Sequence, residues 1–277
     1  MIFARRALAG LASFLLLNAC SPTRLASALT LRADVRREED VAYGPLPRHR
    51  LDLYRPAQLA AEAPLVVFVH GGGWVAGSRT DYSFVALPIA QLGCEVAVPD
   101  YRLWPEAAWP GFVEDCALAV AYLAGRQTAR PVLLMGHSAG AFNAASLALD
   151  PHWNVRERVA GFIGLAGPYD FGAEEVTPPA IFAAAPRAMA ALPKVDLRGA
   201  PPLLLLHGAD DVTVGPYHSR ILAARAREAG VEVRHVEYAG MGHVGIIAAL
   251  AAPVRALGLS GGDVLGEVRA FVQSSSS

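Results

Sequence analysis

Val132-Leu133-Leu134-Met135-Gly136-His137-Ser138-Ala139-Gly140 is an apolar run ending in a serine flanked by glycines, and a helix-forming stretch from Ala139 to Leu149 follows it. The order is strand, sharp turn, helix, with the serine at the apex. Such a turn forces the serine into a strained backbone conformation and lifts its hydroxyl above the sheet. Gly136 and Gly140 leave room for strand and helix to cross closely. The pentapeptide gains weight from its surroundings. His70-Gly71-Gly72-Gly73-Trp74 follows another apolar run upstream, and an aspartate and a histidine follow in order downstream.

Working outward, apolar runs of strand length recur at Leu65 to Val69, Glu95 to Val98, Val159 to Leu165, Leu203 to Leu206 and Val233 to Tyr238. Continuous apolar runs are what a sheet covered on both faces requires. The alternation from His49 to Tyr54 predicts an edge strand. Between the runs lie helix-compatible segments: Tyr82 to Leu92, Gly111 to Leu123 after Pro110, Ala139 to Leu149, and Pro216 to Ala229 closed by Gly230. Strand and helix in alternation predict an α/β fold with a mostly parallel central sheet flanked by helices. The Ala- and Pro-rich stretch 171–193, with a short helical piece over Ile181 to Leu192, is either a small cap over the site or a plain connection.

The chain is 53% hydrophobic with a net charge of −1, ample for a large core and without the basic excess that nucleic-acid binding needs. Residues 1–20 carry Arg5 and Arg6, an apolar run Leu8 to Leu17, and then Asn18-Ala19-Cys20. This resembles a bacterial lipoprotein signal peptide, with Cys20 as the lipidated residue and a membrane anchor as the consequence. Ser21 after the cysteine implies, by that resemblance, the outer membrane. Ordinary secretion with cleavage after Ala26-Ser27-Ala28 is the alternative. Residues 21–40 are polar, with the charge run Arg36 to Asp40, and are expected to be a solvated tether. The folded domain is then expected over 41–273, and 274–277 as a disordered tail. Cys94 and Cys116 are expected as buried core thiols, with a disulfide as the alternative that an exported compartment permits.

Acyl transfer by a serine needs a hydroxyl, a base, an orienter for the base and donors for the oxyanion. Ser138 is the candidate nucleophile. His243, in the glycine-rich turn Gly240-Met241-Gly242-His243 after the last strand, is the candidate base; His235 lies inside a strand run and His218 on a helix. An imidazole near pKa ~6.5 suits proton acceptance at neutral pH. The orienter lies in Gly208-Ala209-Asp210-Asp211, where two aspartates compete; Asp170 ends an earlier strand and is expected to be structural. The triple glycine after His70 and the amide of Ala139 offer oxyanion donors. No lysine follows those glycines in phosphate-loop spacing, and no histidine cluster has metal-ligand spacing, so neither a cofactor nor a metal is expected. Trp74 and His137 are candidates for the substrate pocket, and Trp74 serves equally as a packing residue.

With those motifs and with Leu51-Asp52-Leu53-Tyr54-Arg55-Pro56 and Pro99-Asp100-Tyr101-Arg102-Leu103, the chain after the tether resembles the α/β-hydrolase superfamily. Within it the resemblance is to bacterial carboxylesterases that grade into kynurenine formamidases and hormone-sensitive-lipase-like enzymes. The resemblance implies an α/β-hydrolase fold with a minimal cap and oxyanion donors from Gly72, Gly73 and Ala139. It implies Asp211 as orienter, through the spacing Gly208, Asp211, Val214, and gives Asp100-Tyr101-Arg102 a structural role beside the oxyanion loop. The expected activity is hydrolysis of small esters through an acyl-enzyme. Little cap material is available, which limits acyl chains to C2 to roughly C6. An arylformamidase with the same residues, or a surface lipoprotein that binds without catalysis, are the alternatives.

Overall fold

The computed structural model describes residues 34–126, 130–172, 175–185 and 192–275. The proposed signal peptide, Cys20 and most of the proposed tether therefore lie outside the described residues. Strands β1 (Val35–Ala42), β2 (Arg50–Pro56), β3 (Leu65–Val69), β4 (Glu95–Pro99), β5 (Val132–His137), β6 (Val159–Leu165), β7 (Leu203–Gly208) and β8 (Val233–Tyr238) form one sheet. Their order is β1-β2-β4-β3-β5-β6-β7-β8. β2 runs antiparallel to both neighbours, and every pairing from β4 through β8 is parallel. The carboxyl ends of β3, β5, β7 and β8 thus open on one edge of the sheet, where open α/β sheets place their ligands.

Helices α1 (Ser83–Ala90), α2 (Gly111–Arg126), α3 (Ala139–Leu149), α4 (Tyr217–Glu228), α5 (His243–Ala248), α6 (Ala252–Ala256) and α7 (Val264–Ser274) cover the sheet. Alternate strand residues feed two cores. Val67, Leu134 and Leu205 pack under α2, α3 and α4. Val66, Leu133 and Leu204 pack on the other face with α1, α5 and α7. Each fully buried aliphatic side chain contributes roughly 1.5–3 kcal/mol. Cys94 and Cys116 are both free and buried, so the disulfide alternative is excluded. Burial pushes the Cys94 thiol up to about 12.

Three expectations are corrected. Residues 36–40 are not tether: Val35–Ala42 is the edge strand, so His49 to Tyr54 supplies an interior one. The charge run suits an edge, because charged side chains there reach water and discourage edge-to-edge pairing. Glu38 meets Arg55, and Arg37 bonds to Asp52 while lying over the Tyr54 ring. A register shift between Glu38 and Val41 turns the chain, with Asp40 at φ 59°. Second, α7 runs through Ser274, the first residue assigned to the tail. The Asp263 carboxylate caps its start, and Val264, Val268 and Val272 bury one stripe. Third, His243 does not sit in a loop but opens α5, directly after Gly242.

Beyond β4, Asp100 joins several elements. It accepts from the Arg79 amide (2.7 Å) and guanidinium (2.6 Å) and lies 3.5 Å from both His70 and Arg48. Tyr101 donates to the His70 carbonyl (2.9 Å), and Arg102 forks onto the buried Asp115. These bonds fix the glycine loop from below. Burial works against the Asp100 carboxylate, but His70, the Arg79 amide and Arg48 outweigh it and hold its pKa at about 2. A carboxyl depressed from an unfolded value of about 3.9 stabilises the fold above that value and loses the contribution as pH falls through the folded one. Urea unfolding between pH 6 and roughly pH 2 is therefore expected to lose stability steeply in the wild type. Asp100→Asn starts lower and loses less over the same window.

Candidate active site

Ser138 stands between β5 and α3 with φ 55° and ψ −127°, a region that L-residues avoid. The strain is held from both sides. A Cβ on Gly140 would meet the Val69 and His70 carbonyl oxygens at 2.2 Å, and one on Gly136 would meet the Gly140 carbonyl at 2.4 Å. Strand, turn and helix pack too closely there for any side chain.

The elements after β5, β7 and β8 bring three side chains together. His243 Nε2 is 2.9 Å from Ser138 Oγ, and His243 Nδ1 is 2.7 Å from Asp211 Oδ2. The other Asp211 oxygen accepts from the Thr213 and Val214 amides, both at 2.9 Å. Asp211 is buried and Asp210 exposed, so it is Asp211 that meets the imidazole. Burial works to raise the Asp211 pKa, but the Val214 amide and His243 prevail and hold it below the ordinary value. The carboxylate thus stays ionised and accepts the Nδ1 proton, leaving the Nε2 lone pair facing the serine hydroxyl. A hydroxyl so placed can pass its proton to the ring as it attacks a carbonyl carbon.

A cleft of about 550 Å³ opens over Ser138. Gly73 and Ala139 line it beside the serine; Gly72 does not, and its carbonyl instead accepts from the Val75 and Ala76 amides. Ala139 N–H belongs to the unpaired first turn of α3 and is free to meet an oxyanion. Trp74 faces the cleft and the core at once. It lines the cleft, and its buried ring donates to Asn143 Oδ1 (3.0 Å) and packs against Phe142 and Phe182. Phe171, Val176 and Thr177 of the 171–193 insertion form part of the cleft wall. The helical piece expected over Ile181 to Leu192 is represented by short turns at Pro179–Phe182 and Leu192–Lys194, and 186–191 lie outside the described residues.

Comparison with known proteins fits this geometry. The BD-FAE family model matches residues 51–171. Esterase B from Lactobacillus rhamnosis superposes with a TM-score of 0.77 at 21% identity, over 100% of this chain and 97% of that one. The fold is that of the α/β-hydrolases. In sequence the chain is 28% identical over 239 residues to a probable isoprenylcysteine alpha-carbonyl methylesterase ICME of Oryza sativa subsp. japonica, 74% of this chain and 58% of the relative. It is 30% identical over 135 residues to a kynurenine formamidase of Danio rerio, 47% of this chain and 46% of the relative. The chain spans little more than half the length of the curated relatives it matches.

His137 does not line the cleft. It lies behind His243, 6% exposed, with the ring centroids 4.9 Å apart. Its Nε2 is 3.2 Å from the His243 carbonyl, which can only accept, so that nitrogen carries the proton. Burial, reinforced by His243, lowers its pKa to about 3, so it adds no charge beside the base. The pentapeptide could not reveal this, because the side chain's direction depends on where β5 ends. His137→Leu is expected to lower kcat about tenfold with little change in KM, the cost of one lost positioning bond. His137→Gln, whose amide nitrogen reaches the same carbonyl, should recover most of that loss, and steady-state kinetics on the two variants checks it.

His207 was also missed. It is fully buried, donates from Nε2 to the Val214 carbonyl (2.9 Å), and lies 3.3 Å from Asp211 Oδ2. Its place at the end of an apolar strand was the available signal.

Proposed function

We propose that this chain is a serine carboxylic ester hydrolase that works through an acyl-enzyme on short-acyl esters. The observation that carries the reading is the continuous hydrogen-bonded line from Ser138 through His243 to Asp211. Ser138 attacks the ester carbonyl, and His243 takes its proton and returns it to the leaving alcohol. Asp211 holds His243 in the tautomer that accepts. The Gly73 and Ala139 amides stabilise the tetrahedral oxyanion. Water then repeats the sequence to release the acid. The esterase names among the relatives support the same reading. A fluorophosphonate probe should label the wild type at Ser138, and turnover across p-nitrophenyl esters should peak between C2 and roughly C6. Absence of labelling, or a peak on long-chain triglycerides, would refute it.

The likeness to a kynurenine formamidase favours one second reading, hydrolysis of a formylated aromatic amine by the same residues. High turnover of N-formylkynurenine with negligible turnover of p-nitrophenyl acetate would decide for it. We further propose that Cys20 carries a lipid that anchors the chain to a bacterial outer membrane. Among the described residues no helix is long and apolar enough to cross a membrane. Metabolic labelling with a fatty acid, lost in Cys20→Ser, tests the anchor.

A further inference from the structure

The cleft contains an imidazole that the proton relay does not use. His218, in the first turn of α4, is 5% exposed and lines the cleft with Ser138. Its Nδ1 is 3.2 Å from the Asp170 backbone nitrogen. A backbone N–H only donates, so Nδ1 is the acceptor and carries no proton. Burial, with His207 nearby, lowers the ring's pKa, and the ring is neutral with its single proton on Nε2. Nε2 makes no hydrogen bond to any described residue and is not sealed from solvent. Tyr217 stacks on the ring at 4.1 Å and fixes its plane.

The rest of the lining restricts what this donor can meet. Asp211 and Glu175 contribute negative charge, and among the described residues no lysine or arginine lines the cleft. Glu175 already accepts from the Gly172 amide with one oxygen (2.7 Å). An anionic substituent is therefore disfavoured. Trp74, Phe171 and Val176 accept an apolar body, but a plain alkyl group would cover the Nε2–H without pairing it, which is costly for a buried donor.

We propose that His218 is a specificity-determining residue whose Nε2–H donates to a neutral oxygen of the substrate, a ketone, ether or hydroxyl oxygen remote from the scissile ester. The proposal rests on the ester-hydrolase reading and narrows its substrates to oxygenated esters. Seen this way, the cleft selects by one directed hydrogen bond set in an otherwise apolar wall.

Matched substrate pairs test it. One arm compares p-nitrophenyl pentanoate with its keto analogues, with the second oxygen moved stepwise along the acyl chain. The other compares alkyl acetates with acetates of alkoxy alcohols. In at least one arm the wild type should favour the oxygenated member by about fivefold in kcat/KM. His218→Phe should bring that ratio to about one, and His218→Gln, whose side-chain nitrogen occupies a similar place, should retain part of it. A flat ratio across both arms in the wild type would overturn the proposal. So would a preference that His218→Phe leaves intact. If His218→Phe does not fold, the wild-type and His218→Gln ratios decide. Fluorophosphonate labelling and turnover of the plain esters report on the ester-hydrolase reading separately. Failure there removes that reading, whereas normal labelling with flat ratios removes only the assignment of His218.

Discussion

Ser138→Ala is expected to lower kcat on a short p-nitrophenyl ester by at least about 10⁴-fold while KM stays within roughly threefold. In the proposed mechanism the hydroxyl oxygen forms the bond to the carbonyl carbon, so nothing in the ground state compensates for its loss. The oxyanion donors and the cleft remain, and they account for whatever residual rate is seen. The variant keeps its Cβ at a positive φ, so the backbone strain at this turn is unchanged and the thermal midpoint should move little. Measuring both kcat and melting temperature separates lost chemistry from lost fold. A variant retaining a tenth of the wild-type rate would show that another residue is the nucleophile.

The second large effect is at Asp211. Asp211→Asn should reduce kcat by about 10³- to 10⁴-fold, whereas Asp210→Asn should stay within roughly twofold. The reason lies in the amides that hold the carboxylate. Thr213 and Val214 both donate to Asp211 Oδ1, so the single carbonyl oxygen of an asparagine must occupy that position. Its NH₂ is then turned toward His243 Nδ1, 2.7 Å away in the wild type. Two donors cannot face each other, so the imidazole must move its proton to Nε2. A protonated Nε2 has no lone pair for the Ser138 hydroxyl. Asp210 is exposed and makes no bond to His243, which is why its neutralisation should be silent. Equal losses in the two variants would contradict this arrangement.

Much of the site could be read from the chain because its parts are local turn chemistry. The glycines around Ser138 report a crossing too tight for side chains, and the structure shows the carbonyl oxygens that exclude them. The spacing Gly208, Asp211, Val214 is also a turn. The Asp211 amide bonds to the Gly208 carbonyl (3.2 Å), and the Val214 amide returns to the Asp211 side chain (2.9 Å). What escaped reading depends on contacts between distant segments. Arg36 to Asp40 resembles a solvated run until β2 supplies Asp52 and Arg55 as partners. His218 resembles any helical histidine until the chain after β6 delivers the Asp170 amide to its ring. α7 follows a turn-rich stretch, and its apolar stripe acquires meaning only when the sheet face opposite is known.

Arg79 has a consequence for any attempt to shorten the chain. Its guanidinium bonds to Asp40 on β1, Asp52 on β2 and Asp100 beyond β4, and its backbone amide bonds to Asp100 as well. A guanidinium holds five N–H donors in a rigid planar fork and can serve several carboxylates together. The margin of the sheet farthest from β8 and the glycine turn beside Ser138 are therefore moored to one cation. Trimming the first strand would strip away one of its three counter-charges and slacken the turn, so a cut made at the far margin would be felt beside Ser138.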